Sequence, residues 1–182
     1  AGSVRPADCT ELADPARSLL GPAQEQWLDA GLAADAKSDH TRWSVLAQQT
    51  LFSPRRYPSG QVATDGWDGY PAARERLLQS VQRHSPRNTV LLGGDIHQNY
   101  VCNVHAPGAG GDRPVLASEF CGTSISSRAG TTQDKVDAIA RHNPHVLLAR
   151  CEERGYGLAD ITPEQWTTTL RAVDNPLDPH SS

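Results

Sequence analysis

The run Asn88-Thr89-Val90-Leu91-Leu92-Gly93-Gly94-Asp95-Ile96-His97-Gln98-Asn99 decides how this chain is read. Thr89–Leu92 is an apolar stretch of the length of one buried strand. Gly93-Gly94 follows, where no Cβ obstructs a sharp turn. Asp95 and His97 come at once after it. Residues two apart in an extended segment point the same way, so the pair is expected to face one site. A carboxylate oxygen and an imidazole nitrogen together suit a hard or borderline cation. The same residues also read as a plain turn, with Asp95 capping the next element and His97 on the surface.

The 182-residue chain is long enough for one ordinary domain with a real core. A net charge of −4 with no basic patch turns the reading away from nucleic acid. No apolar run approaches the length of a membrane span, and no signal peptide is visible. The chain contains no Met, not even at position 1, which leads to the expectation of a processed product. Its four cysteines, Cys9, Cys102, Cys121 and Cys151, include no Cys-x-x-Cys pair, against zinc-ribbon and thioredoxin readings. An even count at wide spacing suits one or two disulfides in an exported, extracellular protein. Four buried thiols is the competing reading.

Outward from the deciding run, residues 1–20 read as an irregular lead-in. Pro22 opens a helix over Pro22–Ala36, with Trp27, Leu28 and Leu32 on its core face. Trp43–Gln49 reads as a strand ending in two amides. Gln48 and Gln49 either mark a strand end at the surface or present an amide oxygen to a site. Phe52–Trp67 is a long irregular stretch of the kind that is often functional. Asp65-Gly66-Trp67-Asp68-Gly69-Tyr70 packs carboxylates and aromatics around glycines, as a pocket lining or as an anchored turn. Pro71 opens a second helix, Pro71–Gln82, whose Arg74, Glu75 and Arg76 read as a solvated face. Tyr100–His105 and Pro114–Phe120 form a hairpin around the Gly-rich turn Ala106–Asp112. It is expected to bring Cys102 and Cys121 into reach of a disulfide, worth roughly 3 kcal/mol. Thr132 is placed to cap a short helix over Gln133–His142. The strands His145–Arg150, Gly155–Ile161 and Trp166–Val173 read as a meander, and Asp174–Ser182 as a frayed tail.

Several of these motifs, in this order, resemble the PhoD-like alkaline phosphatases of the calcineurin-like metallophosphoesterase superfamily. They are Asp65–Leu78, the Gly94-Asp95-Ile96-His97 edge, Glu119-Phe-Cys-Gly-Thr-Ser-Ile125, Trp43–Gln49 and Arg154-Gly155-Tyr156. The resemblance runs from about Leu20 to Asp174. It implies an α/β fold in which residues 1–182 are the C-terminal half of a metallophosphoesterase β-sandwich flanked by helices. It implies a binuclear site holding Fe³⁺ and Ca²⁺. The superfamily's Gly-His-x-His block reads Gly94-Asp95-Ile96-His97 here, so His97 is carried over as an iron ligand and Asp95 as a calcium ligand. A carboxylate in place of imidazole moves that position towards an oxygen-seeking cation. Gln48 or Gln49 stands where the superfamily has a His on an earlier strand. The blocks that supply the bridging Asp, the iron-bound Tyr and the calcium-bound Asn are not in this chain. It is therefore expected to be inactive alone and to work with an N-terminal chain of the same enzyme. The implied chemistry is hydrolysis of phosphate monoesters or diesters by a metal-bound hydroxide. Some exported relatives act as phospholipase D on phospholipid headgroups, which is the alternative substrate class. A non-catalytic binding fragment is the reading from a different class. Trp67, Asp68, Tyr70 and Tyr156 are the candidates for lining the pocket, each also readable as purely structural.

Overall fold

The apolar run is a strand with a parallel neighbour on each side. The computed structural model describes residues 2–108, 113–178 and 180. Part of the expected Ala106–Asp112 turn and part of the tail lie outside the described residues. The elements are β1 (Ser3–Val4), α1 (Pro22–Lys37), β2 (Ser44–Ala47), β3 (Val62–Ala63), α2 (Pro71–His84), β4 (Thr89–Gly93), β5 (Asn99–His105), β6 (Val115–Cys121), α3 (Gln133–Arg141), β7 (Val146–Arg150), β8 (Arg154–Ile161) and β9 (Trp166–Val173). A five-stranded sheet runs in the order β2-β4-β6-β5-β7. Its first three strands are parallel, and β5 and β7 are added antiparallel. Val90 and Leu91, on opposite faces of β4, are both buried, as a central parallel strand requires.

The register sorts the side chains onto two faces. Leu46, Leu91, Glu119 and Cys102 lie across one face, as do Gly93, Cys121, Tyr100 and Ala149. That face is the core. One cluster packs Tyr100, Cys102 and Cys121 under Val136 of α3, and a second packs Leu91, Val104 and Ala117 under Phe52, Trp67 and Ala73. Pro occupies the first turn of both α1 and α2, where its missing N–H is no loss. Arg76 of α2 grips Glu25 of α1 through two 2.8 Å bonds. Arg74 reaches Asp68 at 2.6 Å, with both side chains nearly buried. The expected solvated face on α2 is therefore corrected: Arg74 and Arg76 tie the helix to its neighbours.

The other face carries Ala47, Leu92, Phe120, Val101 and Leu148 in register. It is only partly covered. The β8–β9 ribbon forms a separate two-stranded sheet, so the expected meander is corrected: β7 joins the main sheet and the last two strands pair alone. The ribbon is pinned to the chain before β2 by Trp43. Its indole packs against Trp166 at a tilt, ring centroids 5.6 Å apart, and donates a 2.7 Å bond to the Thr162 carbonyl.

Three further expectations change. Trp27 is 71% exposed rather than core; Leu32 is the buried residue of α1. Thr132 occupies the N-cap of α3, but its side chain makes no capping bond. All four cysteines are free thiols. Cys102 faces Glu119 and Cys121 faces Tyr100, which makes the two cysteines diagonal neighbours, roughly 7–8 Å apart and too far for an unstrained bridge. The Cys121 thiol instead donates to the Gly94 carbonyl at 3.4 Å. The cysteine count therefore no longer argues for export.

Candidate metal centre

The carboxyl ends of β2, β4 and β6 meet at one edge of the sheet. Gly94 N–H donates to the Gln49 carbonyl at 3.2 Å, and Gly122 N–H to the Gly93 carbonyl at 2.9 Å. In open α/β sheets this edge is where ligands bind. Gly93 is needed for close approach, not for a turn. A Cβ there would lie 2.4 Å from the Thr50 carbonyl oxygen and 2.8 Å from Gln48 Nε2.

The unusual backbone sits on the candidate ligands themselves. Asp95 has φ 68° and His97 φ 56°, in the left-handed region that non-glycine residues seldom enter. A 2.8 Å bond from Ile96 N–H to the Gly94 carbonyl closes a tight turn around Asp95. The segment is not extended, so the alternation expected from the sequence does not orient the pair. What holds them at one edge is a loop with two left-handed residues. Non-glycine residues in such conformations collect at functional sites, where the surroundings hold the strain.

Each side chain keeps an open donor atom. His97 Nδ1–H donates to the Arg128 carbonyl at 3.1 Å, which fixes the ring and leaves Nε2 as the open nitrogen. Ligating histidines are commonly held by such a carbonyl. Asp95 is exposed and makes no hydrogen bond or ion pair among the described residues. The pair fits part of a metal site. Among the described residues no group of three or more His, Cys, Asp or Glu is assembled.

The other candidates are placed differently. Gln48 is engaged. Its Oε1 accepts from Trp67 Nε1 at 2.9 Å and from Thr50 N–H at 3.2 Å, and its Nε2 donates to the Thr50 carbonyl. Gln49 is exposed, and its backbone carbonyl accepts from Gly94 N–H at the start of the Asp95–His97 loop. Trp67 is 2% exposed, edge-on to Phe52 at 4.9 Å, and so is a core residue that braces Gln48. Asp68 is taken by Arg74 and by a 2.9 Å bond from Arg55 N–H. Tyr70 packs at the start of α2 with the Arg17 guanidinium 4.7 Å over its ring. Tyr156 is 56% exposed on the ribbon. It alternates with Gly157 and Ala159, which share a cavity of about 210 Å³ with Leu92, Gly93 and Phe120, so it faces away from the sheet. None of Trp67, Asp68 and Tyr70 adjoins the Asp95–His97 loop through a hydrogen bond.

Two residues carry more of the site than their sequence setting suggested. Glu119 is fully buried at the centre of β6. Its carboxylate accepts Phe52 N–H at 2.6 Å and Ser53 N–H at 2.8 Å, anchoring the segment after Gln48–Thr50. Burial pushes its pKa up; the hydroxyl of Ser53, these two N–H groups and Arg74 oppose that. The signal was a charged residue at an inward position of an apolar strand, between Ala117 and Cys121. Arg154 is the second, buried beside His97.

Residues 3–170 match the profile of the PhoD-like phosphatase family. The chain is 35% identical over 184 aligned residues to alkaline phosphatase D of Bacillus subtilis strain 168, covering 98% of this chain and 30% of that protein. A solved structure of PhoD superposes with a TM-score of 0.87 at 34% identity, covering 100% of this chain and 34% of that one. The chain thus spans about a third of the length of these relatives. With the family's profile over most of its length and a solved PhoD structure superposing on all of it, this chain belongs to the PhoD-like phosphatase family.

Proposed function

We propose that this chain is the C-terminal part of a metal-dependent phosphoester hydrolase, contributing Asp95 to a Ca²⁺ and His97 to an Fe³⁺. The observation that carries the reading is the Asp95–His97 loop itself: an unpaired carboxylate and an imidazole with one nitrogen tied back, at the meeting of three parallel strand ends. The cations, when bound, supply an activated water and neutralise charge on the transferring phosphoryl group. The protein's part is positional. Arg128 holds the His97 ring, Glu119 anchors the β2 exit, and Gly93 lets that exit approach β4.

The remaining ligands come from the N-terminal part of the same enzyme. Support for that partner lies in the uncovered sheet face. Val45 is 43% exposed and Leu148 37%, both on that face, and apolar side chains left uncovered on a largely buried sheet call for a further layer. The β2 edge pairs only with β4 among the described residues, leaving its other side open to a further strand.

The test uses the full-length protein. Metal analysis should find iron and calcium, and p-nitrophenyl phosphate and its bis ester should be hydrolysed. Headgroup release from phosphatidylcholine separates the phospholipase D variant from the general phosphoesterase. His97→Ala should lose iron and about 1000-fold in turnover. Parental metal content and turnover in that variant would overturn the assignment, and a full-length protein that neither holds metal nor turns over any ester would point to a binding module.

A further inference from the structure

We infer that Arg154 is the positioning residue for His97, through the His97 backbone carbonyl on which the Arg154 guanidinium and the Thr123 hydroxyl converge. The inference rests on the reading of His97 as a metal ligand. Arg154 opens β8 and is only 6% exposed. Its Nη1 donates to the His97 carbonyl at 3.2 Å, to Thr123 Oγ1 at 2.7 Å and to the Glu153 carbonyl at 2.7 Å. Its Nη2 donates to the Cys151 carbonyl at 2.6 Å. No carboxylate hydrogen-bonds it among the described residues, and the neighbouring Glu153 carboxylate is gripped by Arg150.

A guanidinium buried among neutral oxygens is expensive, and well-packed apolar residues commonly serve stability as well or better. What the charge adds here is geometry. A planar fork holds five N–H donors in fixed directions, where an ammonium has three on a freely rotating head. Its targets are the three pieces that meet at the ligand loop: His97 itself, Thr123 at the exit of β6, and the turn between β7 and β8. Thr123 is fixed in turn, its N–H donating to Asn99 Oδ1 at 3.0 Å. Its hydroxyl proton is shared between the His97 carbonyl at 3.3 Å and the Glu153 carbonyl at 3.0 Å. His97 holds a φ of 56°, a conformation it would leave if nothing restrained its peptide. The Arg128 carbonyl orients the ring, and Arg154 with Thr123 orients the peptide that carries it.

The experiment compares Arg154→Gln, Arg154→Lys, Thr123→Val and His97→Ala in the full-length enzyme. Three quantities are read: iron retained against a chelator series well below each variant's unfolding midpoint, kcat and KM on p-nitrophenyl phosphate, and the midpoint itself. Arg154→Gln should release iron at 10- to 100-fold lower chelator concentration and lower kcat with KM unchanged. Arg154→Lys should recover part of both, and Thr123→Val should shift iron release a few-fold. If Arg154→Gln lowers only the unfolding midpoint, Arg154 is a structural hub and the inference falls. If Arg154→Gln does not fold, Thr123→Val decides, and parental iron retention in it overturns the inference. If His97→Ala itself retains iron and turnover, the ligand reading fails instead, whatever the Arg154 variants do.

Discussion

Leu91 and Leu148 lie on the same sheet, yet one is 2% exposed and the other 37%. They differ in strand and in face: Leu91 is on the inner strand β4 and Leu148 on the edge strand β7, and Val90, on the face that Leu148 shares, is itself only 3% exposed. Leu91 points under α2 and the Phe52–Trp67 segment, a layer this chain supplies. Leu148 points to the side where the chain supplies only a two-stranded ribbon. The covered face is apolar and closed, with polar anchors at Glu119 and Asp68; the open face mixes Leu92, Phe120, Val101 and Leu148 with Ser118 and Asn103 and has only the ribbon over it. Sheet packing requires both faces of a mixed, mostly apolar sheet to be covered. The chain therefore carries a finished half-core and an unfinished one. The candidate ligands sit at the sheet's edge between them.

The comparison breaks most readily at Glu119. Glu119→Ala leaves the Phe52 and Ser53 N–H groups buried without acceptors and opens a void. It should cost about 4 kcal/mol, read as a fall in the urea midpoint. An unchanged midpoint would show that the covered face does not depend on that anchor. The two leucines give the next test. Leu91→Ala should cost about 3 kcal/mol in this chain, whereas Leu148→Ala should cost under about 1 kcal/mol here and more once the rest of the protein is present. Equal losses in the isolated chain would erase the distinction between the faces.

A further effect concerns pH. Burial pushes the Cys102 thiol up to about 12 from an ordinary 9.0, and burial raises Cys121 as well. Above pH 9 the unfolded chain releases thiol protons that the folded chain keeps. The folded state then binds more protons, so stability falls as pH rises through this window. Between pH 8 and 10.5 the Cys102 share is about 2 kcal/mol. Cys102→Ala should flatten the alkaline decline by that amount, and an identical decline in parent and variant would refute the burial argument.

Much of the chain was legible from periodicity and proline placement. Pro22 and Pro71 begin their helices, and the strands fall within a residue or two of the apolar runs. The failures share a cause: they concern what packs across the chain. Trp27 has helical spacing with Leu28 and Leu32, but spacing cannot say how wide the covered stripe is. The cysteines are close in the hairpin but in diagonal register, which depends on the pairing. Asp95 and His97 were singled out by chemistry and spacing, yet the extended geometry assumed for them gives way to two left-handed residues. Arg154 was visible as part of a motif, but its role comes from three separated segments converging on it. Composition within any one of them carries no trace of that.

The indole clasp between Trp43 and Trp166 joins parts of the chain far apart in order, the Thr162 carbonyl that Trp43 holds being 119 positions further on. The ribbon can zip locally in microseconds, but its seating waits for the last strand to be made. During synthesis, then, the Asp95–His97 loop and the helix-covered face are in place before the ribbon can cover its share of the far side. A nascent chain halted before Trp166 would expose Leu92 and Phe120 to whatever it meets first.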